Sequence, residues 1–177
     1  AQGRGGRVEM LMYEDNARLI NATLAAVAPK AQLHTIALGR PGAMLALRRW
    51  LDEGGVAGLL ADRTLPRHSS ERSRTLTLPF LGQDAHFSDG PFRLAAMLRR
   101  PLYFMAGLYE GDNRYELRFV ELADFSPDAP SGGLDTDQRV RAAVERYVAL
   151  LASLCVERPY NWFNFYDFWS QDAAAPN

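Results

Sequence analysis

Cys155 is the only cysteine in the 177 residues, so no disulfide can close within the chain, and no CxxC pair offers a metal two thiolates. Lysine is nearly missing as well: Lys30 is the only one among 20 Lys and Arg residues. Arginine favours bidentate binding of phosphate or carboxylate, although so lopsided a choice also follows from genomic base composition. No apolar run approaches the roughly 18 residues of a membrane span. Charge of one sign is not in excess. The 20 bases stand against 21 acids for a net charge of -1, which gives no general pull toward nucleic acid. The HExxH, GxSxG, Walker A and GxGxxG patterns are all absent, as is any internal repeat. No Met opens the chain; Ala1-Gln2-Gly3-Arg4-Gly5-Gly6 reads as a loop or cut end, and a fragment or processed chain is expected.

What is present suits a globular protein. An apolar share of 47% argues against disorder, and residues 1–177 are expected to form a single domain. Residues 7–13 (RVEMLMY) read as a strand. A helix capped by Asp15 or Asn16 follows through Leu19, Ile20, Leu24 and Val27 and ends at Pro29. Residues 32–38 (QLHTIAL) form a second strand, and a helix over 43–53 places Leu45, Leu47 and Leu51 near one side before Gly54-Gly55 close it. The run Val56-Ala57-Gly58-Leu59-Leu60-Ala61 is too short for a helix and reads as a strand covered on both faces. This β-α-β-α-β order predicts an α/β fold with a largely parallel central sheet flanked by helices.

Beyond it, residues 64–74 form a polar loop, and 75–80 (TLTLPF) alternate like a half-buried strand, with Pro79 confining its end to an edge or bulge. Leu81-Gly82-Gln83-Asp84 turn the chain. Asp89-Gly90-Pro91 open a helix over 92–100, with Pro91 suited to a first turn. Residues 101–109 and 115–122 flank Glu110-Gly111-Asp112-Asn113, a hairpin signal. A long amphipathic helix is expected from 136 to about 156, burying Val140, Val144, Tyr147, Leu151 and Leu154. The tail over 160–169 packs aromatics densely, either as a membrane-interface belt or as a segment folded on the core, where Asn161 and Asn164 would satisfy backbone groups.

Asp62 and Arg63 end a strand abruptly, where ligands bind in open α/β sheets. Arg63, Arg67, Arg72 and Arg74 fall within twelve positions and offer either an anion pocket or a solvated loop. His34 lies in an apolar strand, His68 on the polar loop, and His86 three residues before Asp89 in what reads as a turn. These residues alone make no complete catalytic set. Cys155 reads as a small core residue.

Taken in order, Leu51-Asp52-Glu53-Gly54-Gly55, the strand ending in Leu59-Leu60-Ala61-Asp62-Arg63, and Pro79-Phe80-Leu81-Gly82 followed by Ala85 and Gly90 resemble bacterial lipid A biosynthesis (lauroyl/myristoyl) acyltransferases, of the lysophospholipid acyltransferase-like superfamily. The ending Arg158-Pro159-Tyr160-Asn161-Trp162-Phe163-Asn164-Phe165-Tyr166-Asp167-Phe168-Trp169 resembles a subgroup linked to aryl polyene or xanthomonadin pigment clusters. The resemblance spans nearly the whole chain and about the C-terminal two-thirds of a family member.

It implies transfer of an acyl group from acyl carrier protein or coenzyme A to a hydroxyl of a lipid or glycolipid. No metal or other cofactor is implied, and the setting would be peripheral, at the cytoplasmic face of the bacterial inner membrane. The family's His-x4-Asp/Glu motif is expected before Arg7. Within the chain, the residues five after His34, His68 and His86 are Gly39, Ser73 and Pro91, so none fits. Ala61-Asp62-Arg63-Thr64 stands where the superfamily has a Glu-Gly-Thr-Arg block that grips the acceptor's phosphate. Asp62 would replace the glutamate and Arg63 supply the cation. Asp89-Gly90-Pro91 resembles the glycine-helix element that follows, which puts Gly90 with the substrate-binding residues. The arginines of the loop suit a phosphopantetheine arm or an acidic carrier protein. A non-catalytic module binding a carrier protein or lipid surface remains open, as does, from the α/β pattern, a nucleotide-sugar transferase fragment.

Overall fold

The computed structural model describes residues 8–13, 34–38, 42–61, 75–162, 164, 168 and 169. The chain gathers into two compact units, Ala1–Leu60 and Ala61–Asn177. In the first, β1 (Val8–Tyr13) lies between β2 (His34–Leu38) and β3 (Val56–Gly58), paired in parallel with both. Helix α1 (Ala43–Asp52) buries Leu47 and Trp50. Leu45 is exposed, so the buried stripe is not the leucine row expected. The helix ends in a Schellman motif: Gly54 has φ +82, its N–H donates to the Leu51 carbonyl, and the Gly55 N–H reaches Trp50 O at 2.9 Å. Gly55 is also required sterically, because a Cβ there would sit 2.3 Å from the Trp50 indole. That indole donates from Nε1 to Val56 O at 3.0 Å, tying helix to strand.

The second unit is built on two antiparallel hairpins. β4 (Thr75–Phe80) pairs with β5 (Gln83–Ser88), and β6 (Pro101–Gly111) with β7 (Arg114–Asp124). Helix α2 (Gly90–Leu98) joins the hairpins, and α3 (Thr136–Glu157) follows, succeeded by a 3-10 turn at Pro159–Asn161. The N-terminus of α3 carries a capping box. The Gln138 N–H donates to Asp135 Oδ1 at 2.8 Å, and the Asp135 N–H donates to Gln138 Oε1 at 2.9 Å. The core joins Leu78, Phe80, Ala85 and Phe87 of the first hairpin and Phe92 of α2 to Phe104 and Leu122 of the second. Val140, Val144 and Tyr147 of α3 complete it. Fully burying one such phenylalanine contributes roughly 1.5–3 kcal/mol.

The expected α/β fold with a largely parallel central sheet is overturned. Parallel pairing is confined to three short strands of the first unit; every strand of the second unit pairs antiparallel, in two separate two-stranded sheets. The reason is connection length. Two-residue turns at Leu81-Gly82 and Asp112-Asn113 fold each strand back on its predecessor, whereas a parallel pair needs a long crossover. Residues 83–88 form a strand where a turn was expected, with Ala85 and Phe87 inward. β3 is shorter than its apolar run, and Val56 and Leu60 are exposed rather than covered. Helix α3 runs as expected, although Leu151 and Leu154 are only partly buried and Ala143, Val148 and Cys155 take the interior. The expected helix through Leu19, Ile20, Leu24 and Val27 and the loop over 64–74 lie outside the described residues. Among those described, no helix is long and apolar enough to cross a membrane.

Candidate functional site

Of the six residues expected to bind substrate, Asp62, Arg63, Arg67, Arg72 and Arg74 lie outside the described residues, as do the side chains of His34 and His68. Gly90 is described. It opens α2 directly after β5, at the junction of strand and helix. Its N–H donates to Ser88 Oγ at 3.2 Å, and Pro91 follows in the first turn, where a missing N–H costs nothing.

Asp89, the N-cap of α2, is 1% exposed. Its side chain makes no capping bond and instead accepts at Oδ2 from Arg93 Nε, at 2.5 Å. The Arg93 guanidinium also donates from NH1 to Asp137 Oδ1 at 2.6 Å, in the first turn of α3. One arginine therefore bridges two carboxylates and binds the start of α2 to the start of α3. The hydrogen bond to Asp137, then that to Asp89, raises the Arg93 pKa. A buried carboxylate needs such a partner, since an unpaired one would cost several kcal/mol. The Asp89/Arg93 half was readable as an i,i+4 pair. Asp137, 44 positions from Arg93, left no local signal.

His86 lies on β5, opposite Thr77 in register; the Thr77 hydroxyl and His86 Nδ1 are 3.1 Å apart. A His86–Asp89 dyad is not formed, because Asp89 is committed to Arg93. Of the aromatic tail, Trp162, Phe168 and Trp169 pack on the first hairpin, while Phe163, Phe165, Tyr166 and Asp167 lie outside the described residues. Phe80 meets Trp162 and Phe168 at centroid distances of 5.4 Å and Trp169 at 6.2 Å, and Trp169 Nε1 donates to Phe80 O at 3.3 Å. Asn161 brackets Tyr109: its Oδ1 accepts the Tyr109 N–H and its Nδ2 donates to the Tyr109 carbonyl, as a neighbouring strand would. Cys155 is buried, which pushes its thiol pKa up and leaves it protonated. Among the described residues, no cluster of three or more His, Cys, Asp or Glu is placed to hold a metal ion.

What this arrangement offers is a strand-to-helix corner. Gly90, which has no Cβ, stands at that corner next in sequence to the Asp89 of the Asp89–Arg93 ion pair. The corner holds no nucleophile–base–acid set among the described residues. No family model matches the chain, and no curated protein matches it either.

Proposed function

We propose that the chain is part of an acyltransferase that moves an acyl group from acyl carrier protein or coenzyme A to a hydroxyl of a lipid or glycolipid, working peripherally at the cytoplasmic face of a bacterial inner membrane. One observation carries the reading: the ordered motifs, from Leu51-Asp52-Glu53-Gly54-Gly55 through Pro79-Phe80-Leu81-Gly82 and Gly90 to the aromatic ending. Supporting it, motif residues far apart in sequence share one core. Phe80 and Ala85 from one end and Phe168 from the other belong to one buried cluster, with Trp162 and Trp169 packed against it.

In this reading a histidine supplied from before Arg7 takes the proton of the acceptor hydroxyl as its oxygen attacks the thioester carbonyl. The tetrahedral oxyanion is met by an N–H group or an arginine. It collapses to the ester as the sulfur leaves and takes up the proton from the histidine. Asp62 and Arg63 hold the acceptor, and Arg67, Arg72 and Arg74 receive the donor's phosphopantetheine or its acidic carrier protein. The reaction so written draws on no metal or other cofactor.

The second reading, a non-catalytic module for a carrier protein or lipid surface, is favoured by one specific observation. None of His34, His68 and His86 stands five positions before an acid.

The test is to incubate the protein encoded by the complete gene with acyl carrier protein or coenzyme A thioesters and a lipid hydroxyl. Thiol release is followed together with the mass of the acylated lipid. Ester should form, and Asp62→Ala and Arg63→Ala should each lower turnover on the order of a hundredfold while the thermal midpoint stays put. Binding of donor or lipid with no ester from either thioester would leave the module. Full turnover in both variants would remove Asp62 and Arg63 from the site.

A further inference from the structure

β6 and β7 fall out of step near their turn. Tyr109 pairs with Tyr115 and Gly111 with Arg114, which leaves Glu110 without a partner in register. A β-bulge of this kind bends the strand and interrupts its ladder. The segment that leaves α3 fastens to the bulge at two points. Arg158 reaches Glu110 Oε1 at 3.5 Å, and Asn161 meets both backbone groups of Tyr109. Just before them, Arg118 holds Glu157, the last residue of α3, to β7 at 2.7 Å. Within the 3-10 turn the Asn161 N–H donates to Arg158 O at 2.9 Å, so a closed backbone loop presents the amide.

Each residue of an antiparallel strand turns its N–H and C=O to the same side, and successive residues alternate. Tyr109 turns its pair toward Asn161, away from β7, so Gly107 and Met105 turn theirs to the same edge. Among the described residues β6 pairs with β7 alone. Such an edge templates pairing with another chain, and natural strands guard it with charge, proline or bulges. From Leu102 to Tyr109, β6 carries no charge and no proline. Its guards stand at the ends. Pro101, with no N–H to offer, opens the strand, and the Glu110 bulge with Asn161 closes it. An asparagine amide carries the donor and the acceptor of a peptide unit, where a carboxylate could only accept. Unlike a strand, it has no second edge that would carry the ladder further.

We propose that Asn161 is a stop on the outer edge of β6, which keeps the β6 edges of two copies from pairing into one sheet. A second copy is the chain excluded because the edge is its own complement. Two antiparallel β6 strands across a two-fold axis offer each other matching donors and acceptors. The stop is independent of the transfer chemistry proposed above.

The test compares the wild type with Asn161→Ala and with Asn161→Ala combined with Met105→Pro. Hydrogen exchange is read at the Tyr109 amide, association by sedimentation, and sheet pairing by the infrared amide I band. In dilute solution Asn161→Ala should speed exchange at Tyr109 at least roughly tenfold, the effect of one lost hydrogen bond at the upper end of its usual net worth. On concentration it should associate more tightly than the wild type and gain the band of an intermolecular sheet. Met105→Pro takes an N–H off the same edge, where an open strand tolerates it, and should return association to the wild-type level. A Tyr109 amide that stays protected in dilute Asn161→Ala would mean that another segment covers it, and overturns the proposal. So does association equal to the wild type, or association that survives Met105→Pro. A Met105→Pro chain that unfolds would show the edge already paired, and overturns it as well.

Discussion

The two hairpins of the second unit start from the same device and end differently. Both turn on two residues of positive φ, Leu81 (51°) and Gly82 (90°) in one and Asp112 (50°) and Asn113 (58°) in the other, the geometry whose twist suits a two-residue hairpin. The first has six-residue strands that alternate cleanly. Leu78, Phe80, Ala85 and Phe87 go inward, while Thr75, Thr77 and Asp84 face out. The second has eleven-residue strands, of which β6 carries apolar side chains on both sides while β7 also carries Glu116, Arg118 and Glu121. Alternation marks a strand with one wet face; apolar residues on both sides mark a strand that natural sheets bury twice. β6 therefore has the composition of an interior strand, yet Tyr103, Met105 and Tyr109 stand exposed on it.

The largest expected effect separates the two faces directly. Phe80→Ala removes a ring packed against Phe87, Trp162, Phe168 and Trp169, and should cost about 3–5 kcal/mol in urea or thermal unfolding. Phe119→Ala, a ring of the same size on the open face, should change stability by less than about 0.5 kcal/mol at concentrations where the chain is monomeric. Equal losses in the two variants would mean that the β6–β7 face is covered within one copy, and the contrast between the hairpins would disappear.

How much of this was legible follows from how local each signal was. The Glu110-Gly111-Asp112-Asn113 turn, the end of α1 at Gly54-Gly55 and the long helix after Asp135 are each set by residues within a few positions, and all three were read from the sequence. β5 was missed because Gln83 and Asp84 extend the polar turn signal and only Ala85 and Phe87 mark its inner face. A β-α-β-α-β pattern suggests parallel pairing but not how much of the fold it governs, and the largely parallel central sheet it predicts is only the three short strands β1–β3. The Arg93 bridge to Asp137 joins residues too distant for any spacing rule. Of the candidate site, only Gly90 falls among the described residues. What its neighbours Asp89 and Arg93 do depends on burial, which periodicity does not report.

A smaller effect tests what pins the covered side of β7. Arg118 donates to Glu116 on its own strand, at 2.5 Å, and to Glu157 at the end of α3, at 2.7 Å. These hydrogen bonds hold the pKa values of both glutamates below the ordinary carboxylate range and push the Arg118 pKa up. A depressed folded pKa gives stability that is present above the unfolded value, near ~4.3, and is lost as pH falls through the folded one. The thermal midpoint of the wild type should thus fall on acidification from pH 6 to pH 3, and Arg118→Met should flatten that fall. Added salt should shrink the difference, because these groups are near solvent. An acid limb of equal steepness in the variant would show that the network contributes nothing to β7.

The smallest effect concerns the turns themselves. Asn tolerates the left-handed region because its short amide satisfies the local backbone, whereas leucine at φ 51° sets its Cβ against the following carbonyl, at roughly 1 kcal/mol or more. Leu81 is exposed, so its side chain offsets little of that cost through packing. Leu81→Asn creates the Asn-Gly pair that two-residue hairpins prefer and should raise stability by about 0.5–1 kcal/mol. The reverse exchange, Asn113→Leu, should cost a similar amount in the other hairpin. If Leu81→Asn instead destabilises the protein, the side chain at that turn is engaged by something outside the described residues, and the first hairpin is less exposed at its tip than it stands here.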